Sequence, residues 1–517
     1  MRSVAPLMTL RRMFALLVLF STFRFVCNGW VYTQVLDPFW TFPFDGFEWL
    51  PRPTLMGAWV LFSGMILGGL LLFIGKTAKL GAALFFVCFT YVELLDKSNY
   101  LNHYYFVSLV AFMLIWLPTS STTPRIPRLA VTSLRLFIGA VYFYAGLAKI
   151  NADWLLHAQP LAMWLPQHSS FPLLGPLFAT REVAYVFSWA GAGFDLFAPF
   201  ALFSDRLRPF FYPILVTFHV LTWILFPIGV FPWVMIACTT VFFTDEWHIK
   251  AWSRLPWPSV QVPAFGAKEK QVVWSTTRVC LVWIFLGVQL AFPWRTLAYD
   301  GSMFWHESGY RFGWRVMLME KAGWATYYIQ NSEGEEREFP VGDFLTPNQE
   351  KMMATQPDLI LATAKHIQEI WNDAKGEHVR VRAEVWASLN GRRSQLLIDP
   401  FVDLTTLQND WSQRTFVLPL DSVIRPRQYE ALKDLAQTEA AKQAVELEVS
   451  SFEEFWPIQN HPEALQQLKA ALHNLQHPNQ ELEQPFSWGE DFGLFLKNKT
   501  GLMFGLGAGE DCKVLHH

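Results

Sequence analysis

The chain has 517 residues, 52% of them hydrophobic and 16% charged, a balance richer in apolar and poorer in charged residues than an ordinary soluble domain. A formal net charge of -3 gives no electrostatic footprint for nucleic acid, while 24 Trp and 46 Phe suit a chain held at lipid interfaces. Cys27, Cys88, Cys238, Cys280 and Cys512 show no C-x-x-C pair and no metal-ligand spacing, so no zinc site or disulfide framework is expected and they read as small buried hydrophobes.

In chain order, apolar segments at about 13–30, 54–75, 80–95, 101–118, 131–149, 183–204, 210–226, 229–243 and 273–292 read as about nine membrane spans. The first follows Arg11 and Arg12 but meets no small-residue cleavage site, so it is taken as a retained span. With the N-terminus cytoplasmic, Arg2, Arg11, Arg12, Lys76, Lys79, Arg125, Arg128, Arg206, Arg208, Lys250, Arg254, Lys268 and Lys270 fall in cytoplasmic loops. The opposite face keeps Arg52, Lys97 and Arg181. That asymmetry sends everything after Phe292 to the non-cytoplasmic side.

From about Trp294 charged and amide residues become common and a soluble domain begins, giving 1–293 as a helical bundle and 294–517 as a non-cytoplasmic α+β domain. Ala325 to Val341 reads as a hairpin turning at Asn331-Ser332-Glu333-Gly334. Val379 to Trp386 alternates as a half-buried strand, and Ser394 to Ile398 follows the Asn390-Gly391 turn as another. Helices are expected near Asn348 to Trp371, with Pro347 opening one, and at about 427–447 and 462–475.

Two stretches carry polar groups at membrane depth. Tyr142 to Trp154 brings Lys149 to the end of an apolar run, where a lysine either snorkels as an anchor or uses its amine chemically. Glu93 to Tyr105 carries Asp96 and Lys97, read as a surface pair, and Asn102 with His103 at the start of the next span. Asn102, His103 and Lys149 share one membrane face, so they could meet in a pocket between helices. His219 reads as a buried histidine satisfied by a carbonyl or as a ligand group, and Asp195 is a lone intramembrane acid. No nucleotide loop, H-E-x-x-H, G-x-S-x-G or Rossmann fingerprint occurs, which argues against ATP, zinc or serine chemistry and leaves an amphiphilic, quinone-like or lipid ligand.

The stretch Tyr142 to Trp154, with Leu95-Asp96-Lys97, Asn102-His103, Phe218-His219 and Phe231 to Met235, resembles the vitamin K-dependent gamma-carboxylases and their bacterial membrane relatives. The resemblance resumes in Trp305 to Met317, Val385 to Asn390, Ile398 to Pro400 and Val402-Asp403, and so covers about residues 80 to 411. It implies that Lys149 deprotonates vitamin K hydroquinone, that O2 converts the quinol anion to a basic alkoxide, and that the alkoxide takes a γ-proton from a protein glutamate. The carbanion then adds CO2, and vitamin K epoxide is the co-product. His103 would serve the carbanion and CO2 step, Asn102 and His219 would hold the quinol, and Trp305, Tyr310, Trp314 and Met317 match the glutamate-binding stretch. The same four residues also read as an aromatic belt seating the soluble domain on the membrane. A neutral lysine amine needs burial to lower its pKa, which the apolar context of Lys149 offers.

The family pattern implies quinol, O2, CO2, membrane lipid and a glutamate-containing protein as partners, with no ATP, biotin, metal or nucleic acid. Ala148, Gly309, Arg311 and Arg315 depart from it, and 411–517 is not matched. Two alternatives stay open: a quinol oxygenase or epoxidase without carboxylation, and a lipid-binding or scaffolding membrane protein. The compact soluble domain points to a bacterial inner membrane rather than endoplasmic reticulum.

Overall fold

The computed structural model describes residues 1–119, 125–253, 272–376 and 378–421. The helices expected at about 427–447 and 462–475 lie outside the described residues, as do Arg254, Lys268, Lys270 and Cys512. The chain divides into two compact units, one of 1–163 with 181–427 and one of 164–180 with 428–517. Within the described part of the second are the 3-10 turn Leu165–His168 and a short helix at Gly175–Phe178.

The first unit begins with α1 (Ala5–Cys27), α2 (Leu55–Ile74), α3 (Ala78–Leu94), α4 (Asn102–Trp116) and α5 (Arg128–Ala148). The short helices α6 (Ala152–His157), α7 (Leu161–Trp164) and α8 (Gly175–Phe178) precede α9 (Arg181–Phe203), α10 (Arg208–Leu225), α11 (Phe231–Thr239), α12 (Asp245–Ser253) and α13 (Thr276–Ala291). Every apolar segment read from the sequence is helical, yet five helices among the described residues are long and apolar enough to cross a membrane. They are Leu55–Ile74, Arg128–Ala148, Arg181–Phe203, Arg208–Leu225 and Thr276–Ala298, with α4 and the Phe231–Phe242 stretch shorter. The expected count of about nine is thus not confirmed among the described residues: α4 has 15 residues, α3 has 17, and α1 carries Arg11, Arg12 and Arg24.

Glycine sets the closest packing. A Cβ on Gly81 of α3 would lie 2.3 Å from Leu72 N, and one on Gly68 of α2 would lie 2.7 Å from Phe85 N, so these two backbones touch. Three buried arginines close helix ends whose carbonyls have no partner within their own helix. Arg11 donates to Leu72 and Phe73 O, Arg208 to Leu202 O at 2.7 Å, and Arg135 to Val241 O at 2.9 Å and Phe242 O at 3.2 Å.

The α+β part holds α14 (Met303–His306), α15 (Pro347–Met353), α16 (Pro357–Lys375) and an antiparallel sheet ordered β4-β3-β5-β6. Here β1 is Arg2–Ser3 and β2 is Arg125–Ile126, which pair with each other, while β3 is Lys321–Gln330, β4 Glu336–Phe339, β5 Arg380–Leu389 and β6 Gln395–Leu396. The expected hairpin, the alternating strand and the helix after Pro347 are all present. On β5, Val381, Ala383, Val385, Ala387 and Leu389 are buried in strict alternation, and α16 covers that side with Leu359, Ile360, Ala364 and Ile367. Tyr327 of β3 donates to Ile360 O at 3.0 Å and ties sheet to helix.

Asp96 and Lys97 do not form the expected surface pair. Both are buried beneath the α+β part, where an unpaired charge is costly, and each finds a different partner. Gln349 Nε2 and Ser98 N donate to Asp96 at 2.7 and 2.8 Å, while Lys97 Nζ donates to Asp45 at 2.7 Å and lies 4.0 Å from Asp358. Cys88 and Cys238 are buried as expected, but Cys27 and Cys280 are exposed on apolar helices.

Candidate active site

α5 is the most enclosed of the apolar helices, with 72% of its span buried. At its end Gly146 admits the backbone of α9, since a Cβ there would lie 2.7 Å from Leu196 N. This approach sets Asp195 against Lys149. Lys149 Nζ donates to Asp195 Oδ2 at 2.7 Å and to Ala145 O at 3.2 Å, and lies 5.2 Å from the Trp154 ring centroid. Lys149 is 6% and Asp195 5% exposed, so the pair is desolvated inside the bundle.

Two turns back along α5, the Tyr142 hydroxyl and His219 Nε2 share a hydrogen bond of 2.6 Å. The alternative of His219 bound to a backbone carbonyl is thereby replaced by a phenol partner on a neighbouring helix. Phe194, adjacent to Asp195, lies edge-on to both rings and stacks on Phe218 at 4.0 Å. Amine, carboxylate, phenol and imidazole thus share the apolar interior formed by α5, α9 and α10.

His103 stands elsewhere. Its ring stacks on Phe231 at 5.4 Å and lines a cavity of about 330 Å³ whose wall includes neither Lys149, Asn102 nor His219. That cavity wall does not bring together the Asn102, His103 and Lys149 of the expected single pocket. Asn102 Nδ2 donates to Arg315 O at 2.6 Å, its Oδ1 accepts from Tyr100 at 3.1 Å, and Tyr310 donates to the same Arg315 carbonyl at 3.2 Å. Asn102 and Tyr310 thus meet at one backbone oxygen, which sequence separation hid.

In Trp305 to Met317, Glu307, Phe312, Trp314 and Met317 all have φ between +54° and +60°, a left-handed conformation costly for residues with side chains. Packing holds it: Trp314 is 1% exposed, stacks on Tyr105 at 5.1 Å and meets Phe106 and Phe137 edge-on. Trp305 Nε1 donates to Leu418 O at 2.8 Å, and Met317 is half-buried. The divergent arginines are used as well, Arg311 donating to Asp358 at 2.5 Å and to Gln356, and Arg315 to Thr296 at 2.9 Å.

Burial alone would raise the Asp358 carboxyl, but the charges of Arg311, Arg414 and Lys97 outweigh it and hold it well below the usual carboxylate range. Asp153 is likewise lowered, burial being overcome by Arg392, at 2.7 Å to both carboxylate oxygens, and by Asn390 at 2.9 Å. Burial, with help from Arg414 and Lys321, pushes His306 down to about 4. Among the described residues no cluster of His, Cys, Asp and Glu could hold a metal ion.

Asp195 stood out in the sequence as an intramembrane acid, but its partner did not. Tyr142 lies in the matched stretch with no role assigned to it, and α-helical spacing from Lys149 was the signal that places both on one helix.

Among known families, the HTTM domain matches residues 2–247 and the vitamin K-dependent gamma-carboxylase lumenal domain matches residues 274–423. No solved structure matches the chain. The apolar helices make this a membrane protein, and the domain that follows them carries the lumenal assignment of its family. A helical membrane domain and a carboxylase lumenal domain in this order place the chain in the vitamin K-dependent gamma-carboxylase family.

Proposed function

We propose that the protein is a vitamin K hydroquinone-dependent γ-glutamyl carboxylase in which Lys149 is the proton acceptor. The observation that carries this is the buried Lys149–Asp195 pair beside Tyr142 and His219. This donor and acceptor set, walled by Phe194, Phe211 and Phe218, fits a planar ring bearing two hydroxyls. When bound, the hydroquinone supplies with O2 the strong base that removes a glutamate γ-proton so that CO2 can be captured, with vitamin K epoxide as co-product.

The chain's own part is to hold and move protons where water is scarce. Transfer of the shared proton to Asp195 Oδ2 leaves the Nζ lone pair free to accept one from a hydroxyl. Tyr142 and His219 orient the ring, and the surrounding phenylalanines exclude water that would quench a strong base. His103 serves the carbanion and CO2 step. Asn102 supports the site through Arg315, and the segment of Trp305, Tyr310, Trp314 and Met317 faces the glutamate substrate. The soluble domain is non-cytoplasmic, and the membrane is a bacterial inner membrane.

In membranes supplied with vitamin K hydroquinone, O2 and labelled bicarbonate, label enters a Glu-rich peptide, and Lys149→Ala abolishes it. Undiminished label in that variant sinks the assignment of Lys149. One observation favours a second reading, quinol oxidation without carboxylation: Trp305, Tyr310 and Trp314 are all engaged inside the protein. Epoxide formed with no label in any peptide selects it.

A further inference from the structure

Trp305, Tyr310 and Trp314, read from the sequence as part of an aromatic belt, are engaged inside the protein, so the seat of the α+β part on the membrane falls to other groups. α13 and the 3-10 turn Phe292–Ala298 that continues it form the span Thr276–Ala298, of which 17% is buried, the least among the five. Leu281, Ile284 and Val288 carry its exposed apolar stripe at three- and four-residue spacing. Trp294 and Leu297, the latter 78% exposed, continue the exposed apolar surface to the end of the span.

That surface does not stop where the span does. The ring of Trp411, from the α+β part, lies 5.9 Å from the ring of Phe292 within the span, and Trp411 is 63% exposed. It stands at the tip of a tight turn in which Ser412 N and Oγ both donate to the Asp410 carboxylate, the N–H at 2.8 Å. The turn is pinned on every side: Tyr299 donates to Trp411 O at 2.8 Å, Asp300 N to Gln413 Oε1 at 3.1 Å, and Asn409 Nδ2 to Asp358 O at 3.1 Å. An indole on so fixed a backbone, beside a lipid-facing helix end, loses little further freedom on entering lipid. Asp410, Ser412 and Gln413 around it are exposed and polar, which holds the tip at the depth of the headgroups rather than of the acyl chains.

We propose that Trp411, with Trp294 and Leu297, enters the headgroup layer of the leaflet at which this span ends and anchors the α+β part to the bilayer surface. A lipid surface is the occupant because the patch is continuous with the lipid-facing stripe of α13, and because tryptophan suits the boundary where an apolar ring meets lipid and an N–H meets water. The anchor reaches further into the molecule. Arg414, three residues on from Trp411, donates to Ser308 Oγ at 2.8 Å, so the depth of the Trp411 turn is tied to that of the strained loop beginning at Glu307.

The test puts the photoreactive residue p-benzoylphenylalanine in place of Trp411 in the full chain, reconstituted in vesicles of phosphatidylethanolamine and phosphatidylglycerol, and counts lipid adducts by mass spectrometry after illumination. The same residue in place of Ile284, on the lipid-facing stripe, is the positive reference. In place of Phe401 it is the negative one: Phe401 is exposed, but it lies beside Asp403, which accepts from Val381 N at the start of β5, the end opposite Asn390 and its bond to Asp153. Adducts at 411 should approach those at 284 and exceed those at 401 at least about tenfold. A nitroxide on Ser412→Cys in the cysteine-free chain, with Trp411 intact, gives a second reading should the first variant fail to fold. Its accessibility to a water-soluble nickel chelate should rise severalfold when Trp411→Ser is added. Adducts at 411 no more frequent than at 401, or a cross-linked dimer as the main product there, which would make the patch an interface between copies of the chain, overturns the proposal. So does nitroxide accessibility unchanged by Trp411→Ser. Carboxylation does not enter either readout, so loss of the functional reading above leaves this result intact.

Discussion

Lys149 and Asp195 show how one residue's meaning depends on another. Each charge is tolerated inside the bundle because the other sits 2.7 Å away. Removing one partner leaves an uncompensated buried charge, a loss of about 3–5 kcal/mol, whereas removing both does not. Asp195→Asn should therefore lower the melting temperature in detergent, and Lys149→Met with Asp195→Asn should recover most of the loss. A double variant no better than the single would show that the pair is not coupled. His306 gives a pH signature outside the membrane. Its Nδ1 accepts from Ser308 N at 3.0 Å, an arrangement that protonation destroys, and burial lowers its pKa from about 6.5 to about 4. Because the unfolded chain binds this proton more readily, the stability it confers is complete above pH ~6.5 and is lost as pH falls toward about 4. Asp358 and Asp153 are depressed too, but their contributions fade only as pH falls below ~3.9, under that window. Melting temperature followed by tryptophan fluorescence should fall between pH 6.5 and 4.5, and His306→Gln, whose amide oxygen replaces the acceptor, should flatten the slope.

Among elements, the helix pairs are set by small residues and the helix ends by arginines. Gly81 offers the sharpest test, because a methyl there meets backbone on α2 rather than a side chain that can turn aside. Gly81→Ala should cost about 1–3 kcal/mol through forced separation of α2 and α3. Gly193→Ala on α9, where nothing lies within 4 Å, should be neutral or gain up to ~1 kcal/mol from helix propensity. Equal effects in urea titrations of the two variants would contradict the close-packing account. The arginines also change how the charge asymmetry is understood. Arg11 and Arg208, counted in loops from the sequence, are buried caps on neighbouring helix ends, and Arg135, inside α5, does the same work.

For the whole molecule, the membrane helices and the α+β part are joined by buried polar links, Asp153 with Arg392 and Asn390, Asp96 with Gln349, and Asn102 with Arg315. The last of them ties the strained 307–317 loop to the start of α4. Orientation is the property to test at this scale. In a variant with all five cysteines replaced by alanine, Glu333→Cys in the exposed β3–β4 turn should react with an impermeant maleimide added to intact cells, while Lys76→Cys should react only after lysis. The reverse pattern would invert the charge-based orientation and move the soluble domain to the cytoplasm.

Much was decided by the sequence alone, and for a local reason. Membrane helices are written in runs of apolar residues, the β5 strand in a period of two, the Asn390-Gly391 turn in its dipeptide, and the family in ordered blocks around Lys149 and Trp305. Lys149 was visible as a buried cation, and Asp195 as a buried acid, each separately. Tertiary structure decided who meets whom. Asp195 is 46 residues from Lys149, His219 is 77 from Tyr142, and Arg315 is 213 from Asn102, and no periodicity reports contacts at such separations. Those meetings depend on how closely helices approach, as at Gly146. Packing likewise sets what each polar group meets: Lys149 faces Asp195, and the His103 ring stacks on Phe231.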